Sequence, residues 1–167
     1  DVLLALPSAG LHTNGYSLAR KLFFDVAGYA PDTRLPGLEL TAAEALLLPH
    51  LSYLKPLEGL LDTGWIKGLA HITGGGLTDN IPRILPGGTA VKIKKGAWPV
   101  LPVFDLLREL GNVSDAEMYR TFNMGAGMVI VCARENVATI TNHLRNVENP
   151  CYEIGEVVEG DRTVSID

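Results

Sequence analysis

The chain has 167 residues, 47% of them hydrophobic and 20% charged, with a formal net charge of −5. That size and composition close one globular domain around a sizeable core and leave no room for a second. The acidic balance and the lack of a long basic run argue against a nucleic-acid partner, and no apolar stretch is long enough to cross a membrane, so small-molecule or protein partners remain. Cys132 lies in an apolar run and Cys151 follows Asn-Pro; neither has metal-like spacing or a disulfide framework, which makes a reducing cytoplasm the default. The sequence opens on DVLLALPSAG, with no initiator methionine, charged n-region or cleavage signal before it, so a fragment of something longer is expected.

DVLLALP is a short apolar run suited to a buried strand. NGYSLARKLFFDVAG follows as a helix with Leu18, Leu22, Phe23 and Val26 on one face. Residues 29 to 39 carry two prolines and a glycine and read as a loop. LTAAEALLL is a helix with Thr41 and Glu44 at capping-box spacing, and Pro49 interrupts it. A further helix is expected from about Ser52 to Leu61, stopped by Gly64. WIKGLAHIT reads as a strand. After three consecutive glycines, Thr78, Asp79 and Asn80 supply cap-type side chains, with Pro82 in the first turn of the helix they start. TAVKIKK is a strand, LPVFDLLRELG a helix ending at Gly111, and SDAEMYRTFN a helix with Ser114 and Glu117 at capping-box spacing. GMVIVCA is a buried strand and ENVATITNHLRNV a helix. CYEIGEVVEG and RTVSID are strands joined at a Gly-Asp turn, expected to form an antiparallel hairpin. The fold class is therefore α+β, a mixed β-sheet covered by helices, in a single domain spanning 1–167.

Three glycine-bearing loops carry the candidate chemistry. In GLHTNGYSLARK, His12 and Asn14 precede a helix start, where unpaired amides and the helix dipole favour an anion, while the plainer reading makes Asn14 only a cap. In HITGGGLTDNIPRILP, Thr73 to Gly76 lack the bulk that would keep a phosphate or flat heterocycle off the backbone. No Lys-Ser/Thr follows, so this is not a Walker A loop, and the final glycine of a dinucleotide fingerprint is missing. In RTFNMGAGM, Asn123, Gly125 and Gly127 connect a helix to a buried strand, and a tight connection explains them. His12 and His71 lack paired carboxylates, which makes a weak acid/base signal, and His71 reads as a satisfied core residue. No metal spacing is present. The recurring strand, loop and helix order should bring the His12, Gly74–Gly76 and Asn123 loops to one edge of the sheet. Gly75→Val is expected to abolish ligand binding while leaving the fold largely intact.

Together and in this order, GLHTNGYSLARK, KGLAHITGGGLTDNIPRILP, GNVSDAEMYRTFNMGAGM and the closing YEIGEVV resemble the C-terminal half of the phosphoribosylformylglycinamidine cyclo-ligase (aminoimidazole ribonucleotide synthetase) family across nearly the whole chain. The resemblance implies an ATP-dependent ring closure in purine biosynthesis, turning formylglycinamidine ribonucleotide into aminoimidazole ribonucleotide with release of ADP and phosphate. ATP would activate the formyl oxygen for attack by an amidine nitrogen. It also implies that ATP and Mg act in the full-length enzyme, with none held by this chain alone, and that an N-terminal ATP-binding domain absent here supplies much of that site and the contact of a homodimer. An isolated chain is then expected to be inactive.

Carried over by position, the resemblance makes His12 and Asn14 the catalytic candidates. Thr73, Gly74, Gly75, Gly76, Asn80, Arg83 and Asn123 become candidates for substrate or phosphate binding, and no metal ligand is assigned. His12 would be a polar or proton-handling group, the Gly74–Gly76 backbone an oxyanion or phosphate cradle, and Arg83 either a charge partner or a solvated helix residue. One departure stands out: where the family commonly reads Pro-Thr-Arg-Ile-Tyr-x-Lys, this chain has PHLSYLK, with His50 and Leu51 replacing the Thr-Arg pair. Leucine cannot replace a bidentate charged donor, and histidine only partly can at neutral pH. The alternatives are another enzyme of the same ATP-binding superfamily, such as the amidotransferase-coupled synthetase, selenophosphate synthetase or thiamine-monophosphate kinase, or a non-catalytic binding or assembly domain.

Overall fold

The computed structural model describes all 167 residues. Its centre is β1 (Val2–Pro7), whose apolar run alternates between two hydrophobic clusters: Leu3 and Ala5 enter one, and Val2, Leu4 and Leu6 the other. A strand buried on both faces reads as continuously apolar for this reason. β4 (Ala126–Cys132) and β5 (Tyr152–Glu159) flank β1, both antiparallel to it. β2 (Ile66–His71) extends the sheet beyond β4, and β3 (Thr89–Ile93) extends it beyond β5. The short β6 (Val164–Ile166) completes the order β2-β4-β1-β5-β3-β6.

The expected hairpin between the last two strands does not form. β6 pairs in parallel with β3, Val91 opposite Val164 and Ile93 opposite Ile166, so β3 lies between β5 and β6. The chain turns at Gly160 and Asp161, but the turn carries it across the end of β3. There Gly160 N donates to Gly88 O and Arg162 N to Thr89 O. A Cβ on Gly160 would stand 2.5 Å from that of Ala90, so only glycine passes there without a shift. This one parallel pair makes the sheet mixed.

Helices cover both faces. α1 (Tyr16–Arg20), α2 (Ala42–Leu47), α4 (Gly76–Asn80), α5 (Pro102–Gly111) and α6 (Asp115–Thr121) pack on the larger cluster, and α3 (Leu54–Leu57) and α7 (Val137–Asn146) on the smaller. Thr41 and Glu44 form the reciprocal capping box that their spacing predicts, with Thr41 N donating to Glu44 Oε2 at 2.8 Å and Glu44 N to Thr41 Oγ1 at 3.2 Å. Ser114 makes only half of its box: its Oγ accepts from Glu117 N, while the Glu117 carboxylate accepts from Thr121 Oγ1.

Three helical expectations need correction. α1 continues into a π-helical turn, Lys21–Val26, in which Ala27 N reaches back five residues to Leu22 O; the wider turn leaves Val26 56% exposed while Leu22 and Phe23 stay buried. The helix expected over 52–61 shrinks to α3, because Pro56 cannot donate to a ladder and Gly59, at φ 81°, turns the chain away. α4 begins at Gly76 with Gly75 as its left-handed N-cap, so Thr78, Asp79 and Asn80 lie inside the helix instead of starting it.

Candidate functional site

Pro7 at the end of β1 lies opposite Ala126, and His71 at the end of β2 opposite Met128, which brings the ends of β1 and β2 beside the start of β4. All three glycine-bearing loops leave from this end of the sheet. Asn123, with 0% exposure, fastens two of them. Its Nδ2 donates to Gly10 O at 2.8 Å, and its Oδ1 accepts from Ser8 Oγ and from Gly125 N, both at 2.8 Å. Those bonds are spent inside the protein, so Asn123 holds the loops in place.

The three glycines of the second loop differ from one another. A Cβ on Gly76 would sit 1.9 Å from the carbonyl oxygen of Tyr119, which makes Gly76 the contact that lets α4 lie against α6. Gly75 has φ 100°, and a Cβ there would stand 2.6 Å from that of Asp79. Bulk at Gly75 therefore strains the fold as well as the surface, contrary to the expectation of a fold left largely intact. Gly74 is exposed, and the nearest atom to a Cβ there is Asn14 Oδ1, at 3.5 Å. Of the three, Gly74 is the one whose backbone is open to a ligand.

Asn80 is buried and turned back into the loop. Its Nδ2 donates to Gly76 O at 2.8 Å and, more weakly, to Thr73 O and Gly74 O at 3.3 Å, while its Oδ1 accepts from Thr73 Oγ1 at 3.1 Å. Thr73 and Asn80 thus brace the turn, and Arg83 stands exposed on the 3-10 turn, Ile81–Ile84, that follows.

The first loop is backbone-strained. His12 and Thr13 adopt φ 51° and 61°, a left-handed conformation that side-chain-bearing residues enter at a cost. Gly15, at φ 70°, is the N-cap of α1, and a Cβ there would meet the Phe122 ring at 2.3 Å. Asn14 does not cap that helix. Its Nδ2 donates to His12 O at 2.7 Å, tying down the strained turn.

His12 is 3% exposed. Its Nε2 accepts from Ala9 N at 3.0 Å and from Leu51 N at 3.4 Å. An accepting Nε2 places the ring proton on Nδ1, and that buried Nδ1 has no hydrogen-bond partner in the protein. Burial, reinforced by the His50 and His71 rings, lowers its pKa to about 4. His12 is consequently a neutral imidazole with an unused N–H donor, not a base at neutral pH.

Sequence reasoning missed what surrounds it. His50 stacks on His12 with ring centroids 4.0 Å apart, and His50 Nε2 lies 3.1 Å from His71 Nε2. His71 is exposed at the strand end and not a core residue, because it is the last residue of edge strand β2. Tyr53 stands 6.2 Å from both His12 and His71 by ring centroid and donates from its hydroxyl to Pro7 O at 2.7 Å. The signal is the PHLSYLK segment, where His50 reads as a partial substitute for a charged donor but nothing local shows that it meets His12 and His71.

No group of three His, Cys, Asp or Glu side chains is placed to hold a metal ion. Two concavities of about 390 Å³ each lie elsewhere: one is lined by Lys92, Lys94, Arg134 and Glu153, the other by Thr141, Arg145 and Asn149.

The profile of the family described as "AIR synthase related protein, C-terminal domain" matches residues 1–167. Phosphoribosylformylglycinamidine cyclo-ligase of Geobacillus thermodenitrificans is 49% identical over 160 residues, covering 96% of this chain and 46% of the relative. The same-named protein of Caldanaerobacter subterraneus is 47% identical, covering 96% and 48%. The chain thus spans about half the length of the curated relatives it matches. The hydrogenase maturation protein HypE of E. coli shares the fold, with a TM-score of 0.63 at 24% identity over 99% of this chain and 46% of that one. No helix is long and apolar enough to cross a membrane. The chain belongs to the AIR synthase related proteins, as their C-terminal domain.

Proposed function

We propose that this chain is the C-terminal part of an ATP-dependent phosphoribosylformylglycinamidine cyclo-ligase of cytoplasmic purine biosynthesis, and that it forms one wall of the active site. The observation that carries the reading is the meeting of two loops, Asn14 Oδ1 lying 3.5 Å from the Cβ position of Gly74, in a chain whose 49%-identical relative bears that name. Formylglycinamidine ribonucleotide and ATP become aminoimidazole ribonucleotide, ADP and phosphate. In this reading His12 takes no proton, since its Nε2 is engaged by Ala9 N, and with its Nδ1 enclosed it acts on the bound substrate by holding the loop that carries Asn14. Asn14 orients the same ligand through its free Oδ1, and Gly74 lets the ligand reach backbone. Such groups act by positioning and by stabilising charge, with no reorganisation at the moment of reaction. Asn80, Thr73 and Asn123 keep the two loops in register.

The side chains beside the glycine loop, Asn14, Thr73 and Asn80, are uncharged and do not fit the needs of Mg. Asp79 is the nearby acid, and its carboxylate faces Arg120 at 4.0 Å. In the proposal the metal ligands, the lysine for the phosphates and the homodimer contact belong to the N-terminal half. The experiment is reconstitution: this chain alone, the N-terminal half alone and the two mixed, each assayed for ADP release with formylglycinamidine ribonucleotide and ATP. Activity is expected only in the mixture, reduced by the cost of associating two free chains. Substrate-dependent ADP formation by this chain alone, or a folded pair of halves that stays silent, would overturn the proposal.

A further inference from the structure

His50 and His71 form a second polar feature that the reading above leaves unused. Their Nε2 atoms are 3.1 Å apart, the spacing of an N–H···N hydrogen bond. One ring must then carry its proton on Nε2 while the other presents a lone pair there. The accepting ring has its proton on Nδ1, and the donating ring has a bare Nδ1. A single added proton at that bare Nδ1 leaves the inter-ring bond intact, spreads one positive charge over two rings and gives the pair two Nδ1–H donors. Both residues are exposed.

Nothing in the protein neutralises that charge. The groups that act on His71 and His12 are other histidine rings, and no carboxylate is among them. At the start of α3, the Tyr53 hydroxyl is already taken by Pro7 O of β1. On β2, Lys67 is paired with Asp1 at 2.7 Å. The facing stretch of β4 contributes Gly127 and Met128, neither titratable, and Lys55 is exposed on α3. Beneath the pair lies the His12 ring with its unpartnered, buried Nδ1. Burial and the neighbouring ring hold the His71 pKa below its usual value, so His71 resists charging until a counter-anion arrives.

We infer that the His50–His71 pair, stacked on His12, is a binding site for a phosphate-type oxyanion that takes up one proton as the anion binds. The inference rests on the reading that this loop cluster is where a ligand sits, but it requires no turnover and so can fail or succeed separately from the cyclo-ligase proposal. A chain of net charge −5 offers no general attraction for anions, which makes specific binding at this spot informative.

The test uses this 167-residue chain and inorganic sulfate, a tetrahedral dianion that does not itself titrate near neutrality. Affinity is measured by calorimetry from pH 6 to pH 8, with the imidazole nitrogens followed by NMR. Affinity should weaken as pH rises, approaching about tenfold per pH unit for one linked proton. His50→Gln and His71→Gln, both at exposed positions, should each remove the pH dependence and weaken binding at pH 6, with melting temperature as the check on folding. Parallel titrations with ribose 5-phosphate and ADP assign the oxyanion to a sugar phosphate or to a nucleotide by which binds tighter. Absence of sulfate binding at pH 6, binding with no pH dependence, or binding unchanged in both folded variants would each overturn the inference. So would Zn2+ shifting both ring signals at equimolar metal while sulfate shifts neither, since the pair would then be a metal site.

Discussion

A Cβ placed on Gly76 would stand 1.9 Å from the backbone carbonyl oxygen of Tyr119, whereas one placed on Gly74 would have only Asn14 Oδ1 near it, at 3.5 Å. Two glycines two residues apart therefore serve different ends. Gly76→Ala should destabilise the fold by about 2–5 kcal/mol, from a side chain held at φ 56° plus overpacking against α6. Gly74→Ala should change stability by no more than about 0.5 kcal/mol, as an exposed substitution does. Urea midpoints of the two variants check this, and a similar loss in both would contradict the assignment.

Asn123→Ala removes three bonds at a site with no access to water. Ser8 Oγ, Gly10 O and Gly125 N are each left unpaired, and each costs about 1–3 kcal/mol when buried. A destabilisation of about 3 kcal/mol or more is expected, with an unchanged urea slope. A nearly neutral substitution would mean that the two loops do not depend on this residue.

The buried His12 ring makes stability pH-dependent in one direction. Its pKa in the folded chain is about 4 against an ordinary 6.5, so below pH 6.5 the unfolded chain binds a proton that the folded chain refuses. The contribution is fully present above pH 6.5, declines as pH falls, and is gone near pH 4. Between pH 7 and pH 5 the loss should reach about 2 kcal/mol. Thermal melts across that interval measure it, and His12→Gln should flatten the dependence. A drop that persists unchanged in the folded variant would place its origin elsewhere.

The limits of what the sequence reveals follow the range of the interactions. β1 and β4 were legible because a strand buried on both faces must be apolar throughout, and α2 was legible because Thr41 and Glu44 satisfy each other three residues apart. The final strand was misplaced because a Gly-Asp turn states only that the chain bends. Its true partner, β3, lies some seventy residues upstream and is chosen by the passage of Gly160 over Ala90. The site divides the same way. The loops carrying His12, Gly74 and Asn123 were identified, but which residues face outward was not, since Asn80 and Asn123 differ from Asn14 only in what surrounds them. His50 stands out in the sequence as a departure, but its partners do not, because they are His12, thirty-eight positions earlier, and His71, twenty-one later.

The consecutive left-handed residues His12 and Thr13 have a consequence for affinity. A short peptide of this sequence would rarely occupy that conformation, since each such residue costs on the order of 1–3 kcal/mol. Here the cost is met during folding, by the bond from Asn14 to His12 O and by the two amides that grip His12 Nε2. A molecule arriving at the loop has no ordering entropy to supply, so its contacts count almost in full toward binding. Release of Asn14, as in Asn14→Ala, would convert a preorganised surface into one that must be organised by its ligand, a loss visible in affinity before it is visible in melting temperature.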